Sequence, residues 1–236
     1  MALGKARLIG SLAIMAIAFF VFDRGAGGVG GGELLAAERL QASSPSLSAK
    51  RPGGAAVEGF RSARFGMDEA EVVRAIKKDF AIRDEKLINK TVNDTEKTTS
   101  FVVTVDDILP NSGSALVAHV FGYSSKKLMQ VNIQVGDPVG KLDGASLVGI
   151  ANNFRNYFSE QGFDPAKVVV NTKVPSGSVI VFRGVDESGR MILVELSLAP
   201  GSDTAPKTGT APVGWLRLSY IQNPEKPDIF KINGGF

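Results

Sequence analysis

Most strand-like segments in this chain follow one another through connections of only a few residues, and that limits the fold more than any other feature. Thr98–Asp106, rich in β-branched and aromatic residues, is broken by Pro110, Asn111 and Gly113 before Ala115–Tyr123 resumes. A polar turn, Tyr123–Lys127, leads to Leu128–Val135, where Val131, Ile133 and Val135 alternate with Gln130, Asn132 and Gln134. That pattern predicts a strand with one dry face and one wet face. Later come Lys167–Val174, Ser178–Gly184, Arg190–Leu198 and Val213–Ile221, with Asp186–Gly189 as a hairpin turn and Ala199–Pro212 as a longer Pro/Gly/Thr-rich loop. Lys86–Val92 reads as a short edge strand. Parallel pairing needs crossovers of a dozen or more residues, so connections this short predict antiparallel meanders.

Two helices punctuate the strands. Asp68 and Glu71 form an Asp variant of a capping box, and Val72, Ile76 and Phe80, widened by Val73, form an apolar stripe behind it. Phe60 and Phe65 lie just upstream, placed to pack on that stripe. The second helix is expected from about Gly144 to Gln161, with Leu147, Ile150, Ala151, Phe154 and Phe158 inward, Arg155 outward, and Gly162 as a left-handed cap. The resulting expectation is an α+β fold of two tandem helix-plus-antiparallel-sheet units, residues 59–136 and 137–221, with 222–236 as a loosely attached tail.

The N-terminus has the form of an export signal. Lys5 and Arg7 precede Leu8–Phe22, an uncharged apolar run of about fifteen residues, the length of a signal-peptide core and short for a membrane span. Cleavage after Gly28, Ala37 or Ala42 is one outcome, and an uncleaved anchor in the inner membrane is the other. Residues 1–42 are therefore read as signal or anchor with a Gly/Ala-rich region, and 43–58 as a flexible spacer.

Chemistry is harder to find. The chain has no cysteine, which excludes disulfides, thiolate metal sites, cysteine catalysis and a lipid-modified N-terminal cysteine. A net charge of +3 over 236 residues is too small for a nucleic-acid-binding surface, and none of the familiar motifs is present. His119 is the single histidine, without the HxH or HxxxH spacing of a metal site. It shares a strand face with Val117 and Phe121, and a satisfied or exposed strand histidine is the simpler reading. No serine-nucleophile motif stands in context. Asp106–Asp107 and Asp186–Glu187 fall where turns commonly carry acids. No catalytic, cofactor or metal residue is assigned. Arg61, Arg64, Arg74, Lys77 and Lys78 make a candidate surface for an anionic or protein partner, against the simpler reading of a solvated helix face. Trp215, in VGWLRLSYI, is read either as a stacking platform or, as its apolar neighbours favour, as core closing the second sheet.

Phe65, Gly66, Met67, Asp68, Glu71, Val72 and Val73 resemble the opening of the SmpA/OmlA (BamE-like) group of small bacterial envelope proteins. Two such units in tandem are also similar in architecture to the β-lactamase inhibitory protein family. The resemblance implies an exported binding or scaffolding module, not an enzyme. The functional expectation is an exported, periplasmic bacterial protein that binds an envelope protein or membrane surface. The alternative is a periplasmic small-ligand-binding protein or hydrolase with a pocket between helix and sheet.

Overall fold

Asp68 caps the first helix in the way its spacing to Glu71 predicts. Its carboxylate accepts from the Glu71 N–H at 2.9 Å, and the Glu71 carboxylate accepts from the Asp68 N–H at 2.9 Å. The Glu71 N–H holds the Asp68 carboxyl below its ordinary pKa, with the cations Lys127 and Arg74 adding to the effect. The computed structural model describes residues 54–108, 112–140, 142–198 and 214–231. The expected export signal, most of the expected spacer and the expected loop at 199–212 lie outside the described residues.

A two-residue hairpin, β1 (Gly59–Phe60) and β2 (Ala63–Arg64), precedes α1 (Glu69–Phe80). A short 3-10 turn at Glu85–Leu87 leads to β3 (Asn89–Val92), β4 (Thr99–Asp106), β5 (Ser114–Phe121) and β6 (Leu128–Gly136). Then come α2 (Gly144–Ser159), a second 3-10 turn at Pro165–Lys167, and β7 (Val168–Lys173), β8 (Val179–Val185), β9 (Met191–Leu198) and β10 (Gly214–Ile221). Among the described residues the fold is mixed: two helices and one continuous eight-stranded antiparallel sheet in the order β3-β4-β5-β6-β10-β9-β8-β7. The seam between β6 and β10 joins Leu218 to Ile133 and Ser219 to Asn132 across the middle of the sheet.

Directly opposed residues share a sheet face. Phe101, His119, Val131, Tyr220 and Ile192 are opposed in successive ladders. Their face carries both helices: Phe158 of α2 lies 6.4 Å, ring to ring, from Tyr220, and Glu69 of α1 bonds Lys90, the partner of Phe101. The β1–β2 hairpin fills the space nearby, with Phe60 5.4 Å from the Tyr220 ring. Val72 and Ile76 of α1, Leu147 and Phe158 of α2, and the inward residues of both halves of the sheet form one apolar core.

Several expectations need correction. Arg155 does not face water; it is 1 % exposed, with its Nη1 3.4 Å from the Asn171 Oδ1 of β7, and burial lowers its guanidinium pKa. The spacer does not stay free up to Glu58, because the Ala55 N–H donates to the Gly162 carbonyl and the Val57 N–H to the Asp186 carboxylate. Residues 222–231 are docked as well. Asp228 accepts from the Ser124 and Ser125 amides at 2.9 and 2.8 Å, and the Phe230 N–H donates to the Glu96 carbonyl. Short-range pattern could not foresee contacts made across 16 positions, as for Arg155 and Asn171, or across more than a hundred, as for Val57 and Asp186.

Candidate binding face

The sheet's second face starts from the polar half of the β6 alternation. Gln130, Asn132 and Gln134 point away from the helices, opposite Val120, Ala118 and Leu116 of β5 and Ile221, Ser219 and Arg217 of β10. No helix or strand among the described residues packs across this face. The expected wet face is nevertheless dry at its centre: Gln130 is 3 % and Asn132 4 % exposed.

The polar groups here are arranged in two clusters. Gln130 Nε2 donates to Asn132 Oδ1 at 2.7 Å, while Gln130 Oε1 and Asn132 Nδ2 have no hydrogen-bond partner. One step along the strands, Glu195 of β9 accepts from the Ser178 hydroxyl through one oxygen and from Arg217 Nη2, at 2.6 Å, through the other. The Arg217 guanidinium lies 5.1 Å from the centre of the Trp215 ring. Trp215 is opposed by Gly136 and Ser197, so it belongs to this face and not to the helix-side core that its neighbours favoured. Leu116, Met191 and Leu193 are half-buried around these clusters.

One end of the face is walled by residues 222–231. Gly122 lies there because the docked segment comes close: a Cβ at this position would sit 2.2 Å from Asp228 Oδ2. Burial raises the Asp228 carboxyl pKa, but hydrogen bonds from Ser125 and Ser124 outweigh it and hold the group below its usual range. Phe230 packs edge-on against Tyr123 at 5.4 Å, and a cleft of about 410 Å³ opens between them, lined also by Lys226 and Lys231.

The basic residues singled out from the sequence are scattered and largely engaged. Arg61 turns the β1–β2 hairpin, donates to the Asp79 carbonyl at 3.0 Å and lies over the Phe60 and Phe80 rings. Arg64 pairs with Glu58 at 3.8 Å, and Lys77 with Glu85. Arg74 and Lys78 are exposed on α1. Arg74 and Lys77 line a second cleft, about 460 Å³, at the seam between α1 and β4, together with Glu69, Glu85 and Phe101. Its cations and anions are matched, which does not make a strong anionic docking patch.

His119 lies on the other side of the sheet, under α1, and is 1 % exposed with Nδ1 unpartnered. Burial lowers its pKa to about 4, against weaker raising effects from the Phe101 backbone and the Asp79 carboxylate. It lines neither cleft. Among the described residues no group of three or more His, Asp or Glu is placed to hold a metal ion, and no helix is long and apolar enough to cross a membrane. The Asp106–Asp107 pair closes its own turn, with Asp106 accepting from the Ser114 hydroxyl and Asp107 from the Gly113 amide.

No known protein family, curated protein or solved structure matches the chain. This sheet face was missed as a site because alternation assigns a residue to a face without saying what covers it. The one signal was the paired carboxamides on that face of β6.

Proposed function

We propose that the chain is an exported bacterial envelope protein that binds a protein partner, without catalysis, through the half-exposed part of the sheet face opposite its helices. The observation that carries this reading is the composition of that face. A solvated antiparallel sheet face is expected to alternate to polar residues. Here Leu116, Met191, Leu193 and Trp215 stand half-buried around a polar centre, the mixture of apolar and aromatic groups typical of interaction surfaces. Export rests on Lys5, Arg7 and the apolar run Leu8–Phe22.

The tandem architecture belongs to the same proposal. It is supported by the strand order, which is mirrored about the β6–β10 seam, and by each half having a helix, a 3-10 turn and a four-strand meander. The SmpA/OmlA-like helix opening and the likeness to the β-lactamase inhibitory protein family remain proposals of kinship.

Photo-cross-linking tests the reading in living cells expressing the full-length chain. A benzoylphenylalanine at Leu193 should yield a discrete cross-linked protein, whereas one at Lys78 on α1 should not. Cross-links from Lys78 alone would move the contact to the basic helix face and overturn the assignment. The N-terminus of the same sample, read by mass spectrometry, distinguishes a cleaved signal from a retained anchor.

A second reading, a small-ligand carrier or hydrolase, rests on the cleft between α1 and β4. Thermal-shift screening of small ligands, with Arg74→Ala as control, tests it: a stabilising ligand whose effect survives that substitution would not be bound there.

A further inference from the structure

We infer that the cleft at the β5–β6 turn, walled by residues 226–231, is a docking surface for an anionic phospholipid membrane. The cleft lies at one end of the sheet and is a second surface, beside the face proposed above for a protein partner.

Exposed rings and unpaired ammonium groups meet here. Tyr123 and Phe230 are 36 % and 38 % exposed and pack edge-on at 5.4 Å, with Ile229 half-buried beside them. Lys226 and Lys231 also line the cleft, and Lys126 has its Nζ 5.2 Å from the centre of the Tyr123 ring. All three lysines are exposed, and among the described residues none of them pairs with a carboxylate. Of the acids in the segment, Asp228 is held by the Ser124 and Ser125 amides, which leaves the exposed Glu225 against three ammonium groups. Aromatic rings flanked by lysines suit the polar surface of a bilayer. The rings sit at headgroup level, and the long lysine stems carry their charges to the phosphates.

The backbone donors that would read a polypeptide are already spent. The Tyr123 N–H donates to the Asp228 carbonyl and the Ser124 N–H to the Asp228 carboxylate. The Ile229 N–H donates to the Pro227 carbonyl and the Phe230 N–H to the Glu96 carbonyl. What remains are rings and point charges, which fix neither a sequence nor a register. That set favours a fluid anionic surface over a protein segment.

The place where the spacer joins the fold points the same way. The Val57 N–H is held by Asp186, in the turn between β8 and β9. Met191 at the start of β9 is opposed by Ile221 at the end of β10, and Ile221 by Gln130 near the start of β6. The β8–β9 turn and the β5–β6 turn therefore stand at the same end of the sheet, four strand spacings or roughly 19 Å apart. An apolar N-terminal run retained in a membrane would hold this end of the molecule towards it.

The test places benzoylphenylalanine at Phe230, or at Lys78 on α1 as the control, in the purified full-length chain. The probes are vesicles of phosphatidylcholine alone and vesicles of an equimolar mixture with phosphatidylglycerol. After irradiation, mass spectrometry reads the lipid adduct at each position. The N-terminal run would bring the chain to either vesicle, so the decisive quantity is the yield at position 230 relative to position 78. That ratio should be at least tenfold higher with the anionic vesicles. It should fall as salt is raised from about 0.1 M to about 1 M, where the Debye length shrinks to about 3 Å. Each lysine at an anionic leaflet strengthens binding by about fivefold. Lys126→Gln/Lys226→Gln/Lys231→Gln should therefore lose the preference, with its melting temperature unchanged, and the corresponding triple arginine variant should keep it. Equal ratios on both vesicles, no adduct at position 230, or a glutamine variant that retains the preference would overturn the inference. So would capture, in cells, of a discrete protein from position 230 in place of lipid. Cross-linking from Leu193 reports on the sheet face alone, so the two readings fail separately.

Discussion

His119 illustrates how burial turns one ionisable group into a pH-dependent term in stability. Its pKa falls from 6.5 to about 4 in the folded chain, so above pH 6.5 it is neutral folded or unfolded and contributes no slope. Between pH 6.5 and 4 the unfolded chain takes up a proton that the folded chain refuses, and stability falls with decreasing pH. The full loss below pH 4 is about 3 kcal/mol at 1.36 kcal/mol per unit. His119→Gln should flatten that part of the stability profile, measured by urea unfolding at a series of pH values. An unchanged slope would mean that the imidazole is not buried neutral. Because this group lies under α1, the predicted acid sensitivity belongs to the helix side and leaves the opposite face chemically separate.

At the scale of elements, the C-terminal segment 222–231 is anchored largely through Asp228. Asp228 supplies both oxygens to the Ser124 and Ser125 amides, its own carbonyl accepts from the Tyr123 N–H at 2.7 Å, and Phe230 adds the ring contact. Asp228→Ala should release the segment, speed amide exchange at Ser124 and Ser125 several-fold, and cost about 1–2 kcal/mol. Unaltered exchange at those two amides would show that another contact holds the segment. The native carboxyl is held below 3.8, so this attachment is present above that pH and is lost as pH falls through the lowered value. Tyr220, at the helix-facing centre, is shifted in the other direction: burial raises its phenol pKa, and it stays neutral in the working range.

For the molecule as a whole, the β6–β10 seam is decisive. Seven opposed pairs, Trp215–Gly136 to Ile221–Gln130, join the halves into one sheet over one core. The halves should therefore unfold together. Circular dichroism and the fluorescence of Trp215, the only tryptophan, should give coincident denaturant transitions. Two separated transitions would show that the halves are independent. Amides of β6 and β10 should also be the last to exchange, since strands on both sides protect them.

Much of the fold was legible from local pattern. The strands from β4 to β10 and both helix starts came from alternation, turn residues and caps, because those signals act over a few residues. The capping box at Asp68 and the hairpin at Asp186–Gly189 needed nothing distant. What lies on which face, and under what, was decided elsewhere. Gln130 and Asn132 read as solvated from alternation alone, yet each is more than nine-tenths buried in the fold. Arg155 read as an outer helix residue until β7 brought Asn171 to it. Trp215 read as core because it stands with Leu216, Leu218 and Tyr220, but strand register turned it to the face without helices. Sequence by itself determined which segments are strands and helices, since propensity and periodicity are properties of neighbours along the chain. Tertiary structure alone decided which polar groups became buried and unpaired, since burial depends on partners that sequence distance does not reveal.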